Sequence, residues 1–379
     1  MERPVFQPVG TPVEDLDTPA VVLDLEAMER NIEVLHSFFR QSGAKVRPHA
    51  ASHQCPQIAH RQLGAGGTVG GVGVTTVGEA EVFGNAGFND ILVANQIVTR
   101  PKIRRLCALA ERNSVAVAVD SVRNIDDLSE AATASGVILR LLVEIDAGLG
   151  RCGVPPGRPA GDLARHAARS PGISFAGLMA IPPSPVPQKE EGGGFSVPDR
   201  VALESETKRY IQPVLDTREL IERDGLPVPT VSVGGTHNYD IAAGMSGVTE
   251  VQAGSYALMD YSYCQVRSEF TQAVKILTQV ISHPVDLRAI LDAGHKATGP
   301  DRGVPVLEGF PGARATRFSA EHGILELEEA ASGQLMPGDK AWLLPFHLGL
   351  CLNQYDYLRA VRGGKLEGFW PLAARGHFG

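Results

Sequence analysis

The chain has no run of about 18 consecutive apolar residues in its 379, so no membrane-spanning helix is expected. Its opening stretch, MERPVFQPVGTPVED, lacks the basic start and apolar centre of a secretory signal, and a cytoplasmic location follows as the default expectation. Cysteine is scarce. The five, Cys55, Cys107, Cys152, Cys264 and Cys351, are scattered, odd in number and free of any C-x-x-C pair, which argues against a disulfide framework and a zinc knot. Positive charge is also short, with 35 Lys plus Arg against 43 Asp plus Glu and a net charge of −8. That balance argues against nucleic acid and anionic membranes as partners and leaves small molecules. No G-x-G-x-x-G fingerprint supports a dinucleotide fold.

What is present is a rhythm. From residue 19 onward, short β-branched runs alternate with longer amphipathic ones, the βαβα order of a parallel sheet or barrel. Eight strands are expected: 20–25, 45–50, 68–74, 90–95, 114–120, 137–146, 173–181 and 230–235. Helix-like segments such as 25–43 and 100–113 lie between them. Eight strands over about 240 residues fit a (β/α)8 barrel better than an open doubly wound sheet. Beyond about residue 264 the texture becomes short strand-like runs separated by turn residues, which predicts a C-terminal β-domain. The division expected is a barrel over 19–263 and a β-domain over 264–379 that takes in 1–18. The proline-, glycine- and charge-rich stretch 181–199 reads equally as a lid at the strand ends or as a surface excursion.

Two glycine-rich stretches, SVGGTHNYD (232–240) and QAGSYALMD (252–260), follow late strands, where barrels commonly bind phosphate. Gly234 and Gly235 allow close backbone approach, while Thr236 and Ser255 add hydroxyls. The stretch VEIDAGLGRCGV (143–154) sets Glu144, Asp146 and Arg151 around a glycine-rich strand exit. Arg151 suits a ring nitrogen or a ligand carboxylate, and equally an ion pair with Glu144 or Asp146; spacing leaves both open.

With those segments in view, TPAVVLDLEAMERNI, RPHAASHQCP, VGEAEVF, VEIDAGLGRCGV, GVTEVQAGSYALMD, LDAGHKA, EHGIL and VRGGKLEGFWPLAARG resemble, in the same order, the D-threonine aldolase and D-serine dehydratase group. The resemblance runs through nearly the whole chain. It implies an alanine-racemase-like barrel followed by a β-domain, pyridoxal phosphate as cofactor, and a homodimer. It also implies cofactor contacts at Arg151, Gly235, Thr236, Gly254, Ser255 and Tyr256.

Three departures stand against it. The family's R-P-H-x-K-T-H motif places its imine-forming lysine where this chain has Ala51, with Arg47, Pro48, His49 and His53 in register. Lys45 is six residues upstream, about 20 Å along an extended strand, too far to substitute. The family's P-x-H-x-D-P-T or P-x-H-x-C-P-T metal motif keeps His347, but its partner position is Gly349, and Cys351 lies two residues beyond. One histidine is a poor metal site, so no divalent metal is expected. The polar Q-A-Y type segment of the family is LMAIPPSP here, a more apolar substrate side with Ile181, and His237 stands where a small residue is common.

The first reading is a diverged lyase of the D-threonine aldolase type that acts on a β-hydroxy or β-substituted D-amino acid with noncovalent pyridoxal phosphate. His53 is its first candidate base, with His49 beside it in the motif, and Lys296 is the remaining amine near a family motif. The second is an enzyme without that cofactor, using His49, His53, His237, His295 and His347 on another anionic substrate. A non-catalytic binding protein and a laboratory replacement of the lysine are the other two.

Overall fold

A strand in a parallel sheet covered on both faces must be apolar on both sides, and the central runs of this chain meet that condition. In the computed structural model, which describes residues 7–185, 188–189, 195–299 and 303–379, Ser114–Val119 is buried from its second residue onward and Leu139–Glu144 is buried at all but one position. Eight parallel strands lie in one sheet: Lys45–Val46, Val72–Val74, Asp90–Gln96, Ser114–Val119, Leu139–Glu144, Ile173–Ala180, Thr230–Val233 and Glu250–Val251. Parallel bridges Val46–Thr68 and His49–Gly73 join the first strand to the second and close the ring, the barrel expected.

Two strands differ from the reading. Ala20–Asp24 is not a barrel strand; it pairs with Val274–Val285 and Tyr357–Arg362 in the other sheet. The eighth barrel strand is Glu250–Val251, two residues immediately before the glycine-rich stretch 252–260 and not among the expected strands.

The chain divides into two compact units, one of Met1–Val34, Ser52–Gln57 and Ser255–Arg375, the other of Leu35–Ala51, Ile58–Gly254 and Gly376–Gly379. The first carries a nine-stranded, largely antiparallel sheet in which Val274–Val285 is long enough to pair with Ala20–Asp24, Arg288–Leu291 and Lys340–Leu344. Its core gathers Ile276, Val280, Leu291, Leu325 and Leu343. The apolar run 348–352, which carries Gly349 and Cys351, is a short helix, Leu348–Leu352. The 181–199 segment lies partly outside the described residues; within it Gln188–Lys189 pairs with Phe195–Ser196. The opening MERPVF lies wholly outside them. Among the described residues no helix is long and apolar enough to cross a membrane.

Register decides what the barrel holds. Side chains alternate between faces, so the paired residues Glu144–Met179, Met179–Ser232 and Ser232–Glu250 share one face around the ring. Leu92, Ala94, Ala116, Ala118, Leu142 and Met179 pack together on that face. Arg47 and Glu250 also lie inward. Arg47 Nε and Nη2 donate to both carboxylate oxygens of Glu250 at 2.9 and 3.0 Å, and its Nη1 reaches Asp90 at 3.2 Å. Ser232 Oγ donates to Glu250 at 2.5 Å, and Arg140 reaches Asp90 from the far side. Burial works against the Arg47 charge; Glu250 and then Asp90 outweigh it and hold its pKa above the ordinary value. Replacing Arg47 with Met leaves the buried Glu250 carboxylate uncompensated and should cost about 3–5 kcal/mol in urea unfolding. A cost below about 1 kcal/mol would show that Arg47 is not what neutralises Glu250.

Candidate active site

At the carboxyl end of the barrel strands the inward face turns from apolar to polar. His49, two residues beyond Arg47, bridges Gly73, and its backbone N–H donates to Ala253 O at 2.9 Å. Its ring lies over Gly73, where a Cβ would sit 3.2 Å from the imidazole, so the missing side chain makes room. Desolvation first, and then the Arg151 guanidinium, push the His49 pKa down from 6.5 to about 4. The imidazole is therefore neutral near pH 7.

Glu144 closes the strand Leu139–Glu144 and is buried, which pushes its carboxyl pKa up; a hydrogen bond from Gln96 and the charge of Arg151 act the other way. Gln96 Nε2 donates to Glu144 at 2.5 Å. A register shift between Val93 and Gln96 re-aims that side chain toward the barrel axis, a device that a reading of alternation alone misses. Arg151 is more than half exposed, with Nη2 4.0 Å from Glu144. The ion pair left open by spacing is therefore with Glu144. Asp146 instead accepts the backbone N–H groups of Gly148 and Gly150.

The glycine-rich cup is present but occupied by its own chain. Gly234 has φ +78°, and Gly235 N–H donates to Asn238 Oδ1 at 2.9 Å. Thr236 is buried at the start of the short turn Thr236–Asn238. The His237 ring sits 3.4–3.5 Å from where a Gly235 Cβ would be. Gly254 ends the barrel unit.

The other sequence candidates lie in the unit that carries the nine-stranded sheet. Ser255 opens the short turn Ser255–Ala257, and Tyr256 is fully buried near Phe270, with ring centroids 6.4 Å apart. His53 is buried, its Nδ1 accepting Cys55 N–H at 3.1 Å. Lys296 is largely exposed and ion-paired with Glu321. His347 caps the helix Leu348–Leu352 beside the buried Asp260, whose pKa is raised by desolvation, with Tyr263 N–H, Ser262 Oγ and His347 opposing. Cys351 is buried, with Sγ 3.5 Å from Ala297 O and a thiol pushed up to about 12 by desolvation. With position 349 a glycine and Cys351 turned into the core, these residues do not fit a divalent metal. Among the described residues no three His, Cys, Asp or Glu side chains converge to hold one.

Pyridoxal phosphate meets a divided fit. Ala51 lies in a one-turn 3-10 segment, Ala50–Ser52, and offers no amine. Within the barrel unit Lys45 donates to Phe39 O and Ser42 O, Lys208 pairs with Glu204, and Lys102 lies on the helix Arg100–Ala110 with its Cε against Gly379. The residues therefore do not fit a cofactor held through an imine. The exposed Arg151 guanidinium can take a hydrogen-bonding anion or ring nitrogen, whereas the Gly235 N–H is already donated to Asn238.

Comparison with known proteins agrees with this architecture. The model of the alanine racemase N-terminal domain matches residues 23–262, and that of the putative serine dehydratase domain matches 273–361. The chain is 36% identical over 377 residues to the 3-hydroxy-D-aspartate aldolase of Paracoccus denitrificans (strain Pd 1222), covering 97% of this chain and 94% of that one. It is 34% identical to the D-threonine aldolase of an Arthrobacter species, over 98% and 96% of the two chains. The crystal structure of D-threonine aldolase from Filomicrobium marinum superposes with a TM-score of 0.87 at 37% identity, covering 98% of this chain and 99% of that one.

The depressed His49 pKa makes stability depend on pH. Between about 4 and 6.5 the unfolded chain binds the proton that the folded imidazole refuses, so stability falls as pH drops from 6.5 toward 4. His49→Gln should flatten that part of the curve in denaturant titrations run at a series of pH values. An unchanged slope would show that His49 titrates normally.

Proposed function

The chain belongs to the family of alanine-racemase-like barrels with a serine-dehydratase-type second domain that includes D-threonine aldolase and 3-hydroxy-D-aspartate aldolase, and on that premise we propose that it is a lyase for a β-hydroxy or β-substituted D-amino acid, using pyridoxal phosphate held without a covalent bond. One observation carries this reading: at the end of the barrel where such folds do their chemistry, His49 bridges Gly73 and the Arg151 guanidinium lies 4.0 Å from the buried Glu144.

Bound there, pyridoxal phosphate supplies an electron sink for charge that develops next to the amine of an amino acid. The remaining work belongs to the chain. Arg151 is a fixed cation for a ring nitrogen or a ligand carboxylate. His49, uncharged near neutrality, accepts a proton at a ring nitrogen, and the Arg151 charge beside it favours giving that proton up. Glu144, with its raised pKa, holds or returns a proton on the same inward face. Thr236 and the Gly254 backbone are the anion side, and the Gly235 N–H joins them only on leaving Asn238. Small-molecule ligands and a homodimer complete the proposal; light scattering should give about twice the 40.3 kDa chain mass, and a monomer at micromolar concentration would remove the dimer.

A second reading, an enzyme without this cofactor acting on another anion, draws on the Gly235 N–H already donated to Asn238 and on His237 against that turn. Equilibrium dialysis with pyridoxal phosphate separates the two. The first requires retention of about one cofactor per chain with the absorbance of the free aldehyde, and a borohydride-reducible imine band in Ala51→Lys. No retention by either protein at millimolar cofactor would leave the second.

A further inference from the structure

The loop that carries Arg151 is built with more care than an exposed arginine requires. It leaves the end of strand Leu139–Glu144 and returns to it: Val154 N–H donates to Glu144 O at 3.0 Å, and Asp146 N–H donates to Val154 O at 2.9 Å. Inside the loop Asp146 Oδ1 accepts Gly148 N–H at 3.0 Å and Gly150 N–H at 3.1 Å. From the end of the neighbouring strand, Asp120 Oδ2 accepts Gly153 N–H at 3.1 Å. Two glycines permit this path. Gly148, at φ +96°, lies where a Cβ would come within 2.5 Å of the Tyr210 ring, and Gly153, at φ +101°, lies where one would come within 2.6 Å of Asp146 N.

Among the described residues Arg151 is ion-paired with Glu144, at 4.0 Å, and with neither aspartate. A long, flexible side chain more than half exposed keeps a place only if its backbone is fixed. We propose that Asp146 and Asp120 are positioning residues, whose carboxylates fold the 146–154 loop so that Arg151 is presented to His49 and Glu144 at the barrel mouth. The proposal rests on the reading of that mouth as the active site, but its structural content stands without any bound ligand.

Electrostatic sign makes it testable. Deleting an anion such as Asp146 by itself lowers the pKa of a nearby imidazole, whereas losing Arg151 from the mouth raises it. The two effects oppose. The readout is the titration of His49 in the cofactor-free protein, followed by NMR of labelled histidine and assigned against His49→Gln. From its starting value of about 4, Arg151→Gln should raise it by about one pH unit. Asp146→Ala should raise it as well, against its own direct charge effect, and should add nothing in the double variant with Arg151→Gln. Asp146→Asn retains an oxygen for both glycine N–H groups, so His49 should stay at or below its starting value. If Asp146→Ala does not fold, Asp120→Ala, which removes a single bond, replaces it and should raise the His49 pKa in the same direction.

A His49 pKa that falls or stays fixed in the alanine variants while Arg151→Gln raises it overturns the positioning role. A pKa that Arg151→Gln does not move overturns it too, because the loop then delivers no charge to His49. Failure to retain pyridoxal phosphate would sink the cofactor reading and leave this titration as it stands, so the two failures are told apart.

Discussion

A carboxylate enclosed in a barrel has to be neutralised where it stands, and Glu250 is neutralised by Arg47 at the seam between the eighth and first strands. That bond is also a register lock. The paired residues are Glu250 with Lys45 and Val251 with Val46, and a slip by one residue would turn Arg47 to the outer face and leave Glu250 unpaired inside. The penalty for that is several kcal/mol, far above a typical surface ion pair. His49 inherits its inward direction from the same lock, two residues farther along. So does Gln252 on the opposite strand. The chemistry at the mouth therefore depends on a polar contact one layer beneath it.

Above that layer the protein manages charge by drying it. Desolvation lowers the basicity of His49 and raises the pKa of Glu144, and in both cases it favours the uncharged form. Arg151 is the group it leaves charged, because a guanidinium does not give up its proton and this one is half in water. The result is one fixed cation beside two groups that can take or release a proton at modest cost. Gln96 completes the set only because a bulge turns it inward.

Much of this was legible in the sequence, and the failures have physical reasons. Strands buried on both faces are written as continuous apolar runs, so seven of the eight barrel strands stood out. Ala20–Asp24 is written the same way and was counted with them; apolarity reports burial and not which sheet does the burying. Glu250–Val251 is too short to show any period beside its glycines. The run 348–352 illustrates the helix and strand ambiguity of brief apolar segments. At the site, Glu144, Asp146 and Arg151 were visible as a constellation, but the glycines between them, which make Asp146 a backbone acceptor, settled its role only in three dimensions. Gln96, Asp120 and the partner of Arg47 could not be found, since each depends on a bulge or on register between distant strands.

The loss of lysine at position 51 changes more than bonding. A lysine brings a cation as well as an amine, and in the barrel unit Lys45 and Lys208 hold carbonyls or a carboxylate while Lys102 lies on the helix Arg100–Ala110. Beside Glu144 the 146–154 loop supplies positive charge through Arg151. An anionic ligand in such a site is held by hydrogen bonds and one guanidinium. Its exchange is governed by how firmly the loop keeps that guanidinium in place, because there is no imine to be broken. On the proposed reading, the loop's fixed path would do part of what a covalent bond does in a lysine-bearing barrel, with the hydrogen bonds from its glycine N–H groups to Asp146 and Asp120 holding that path.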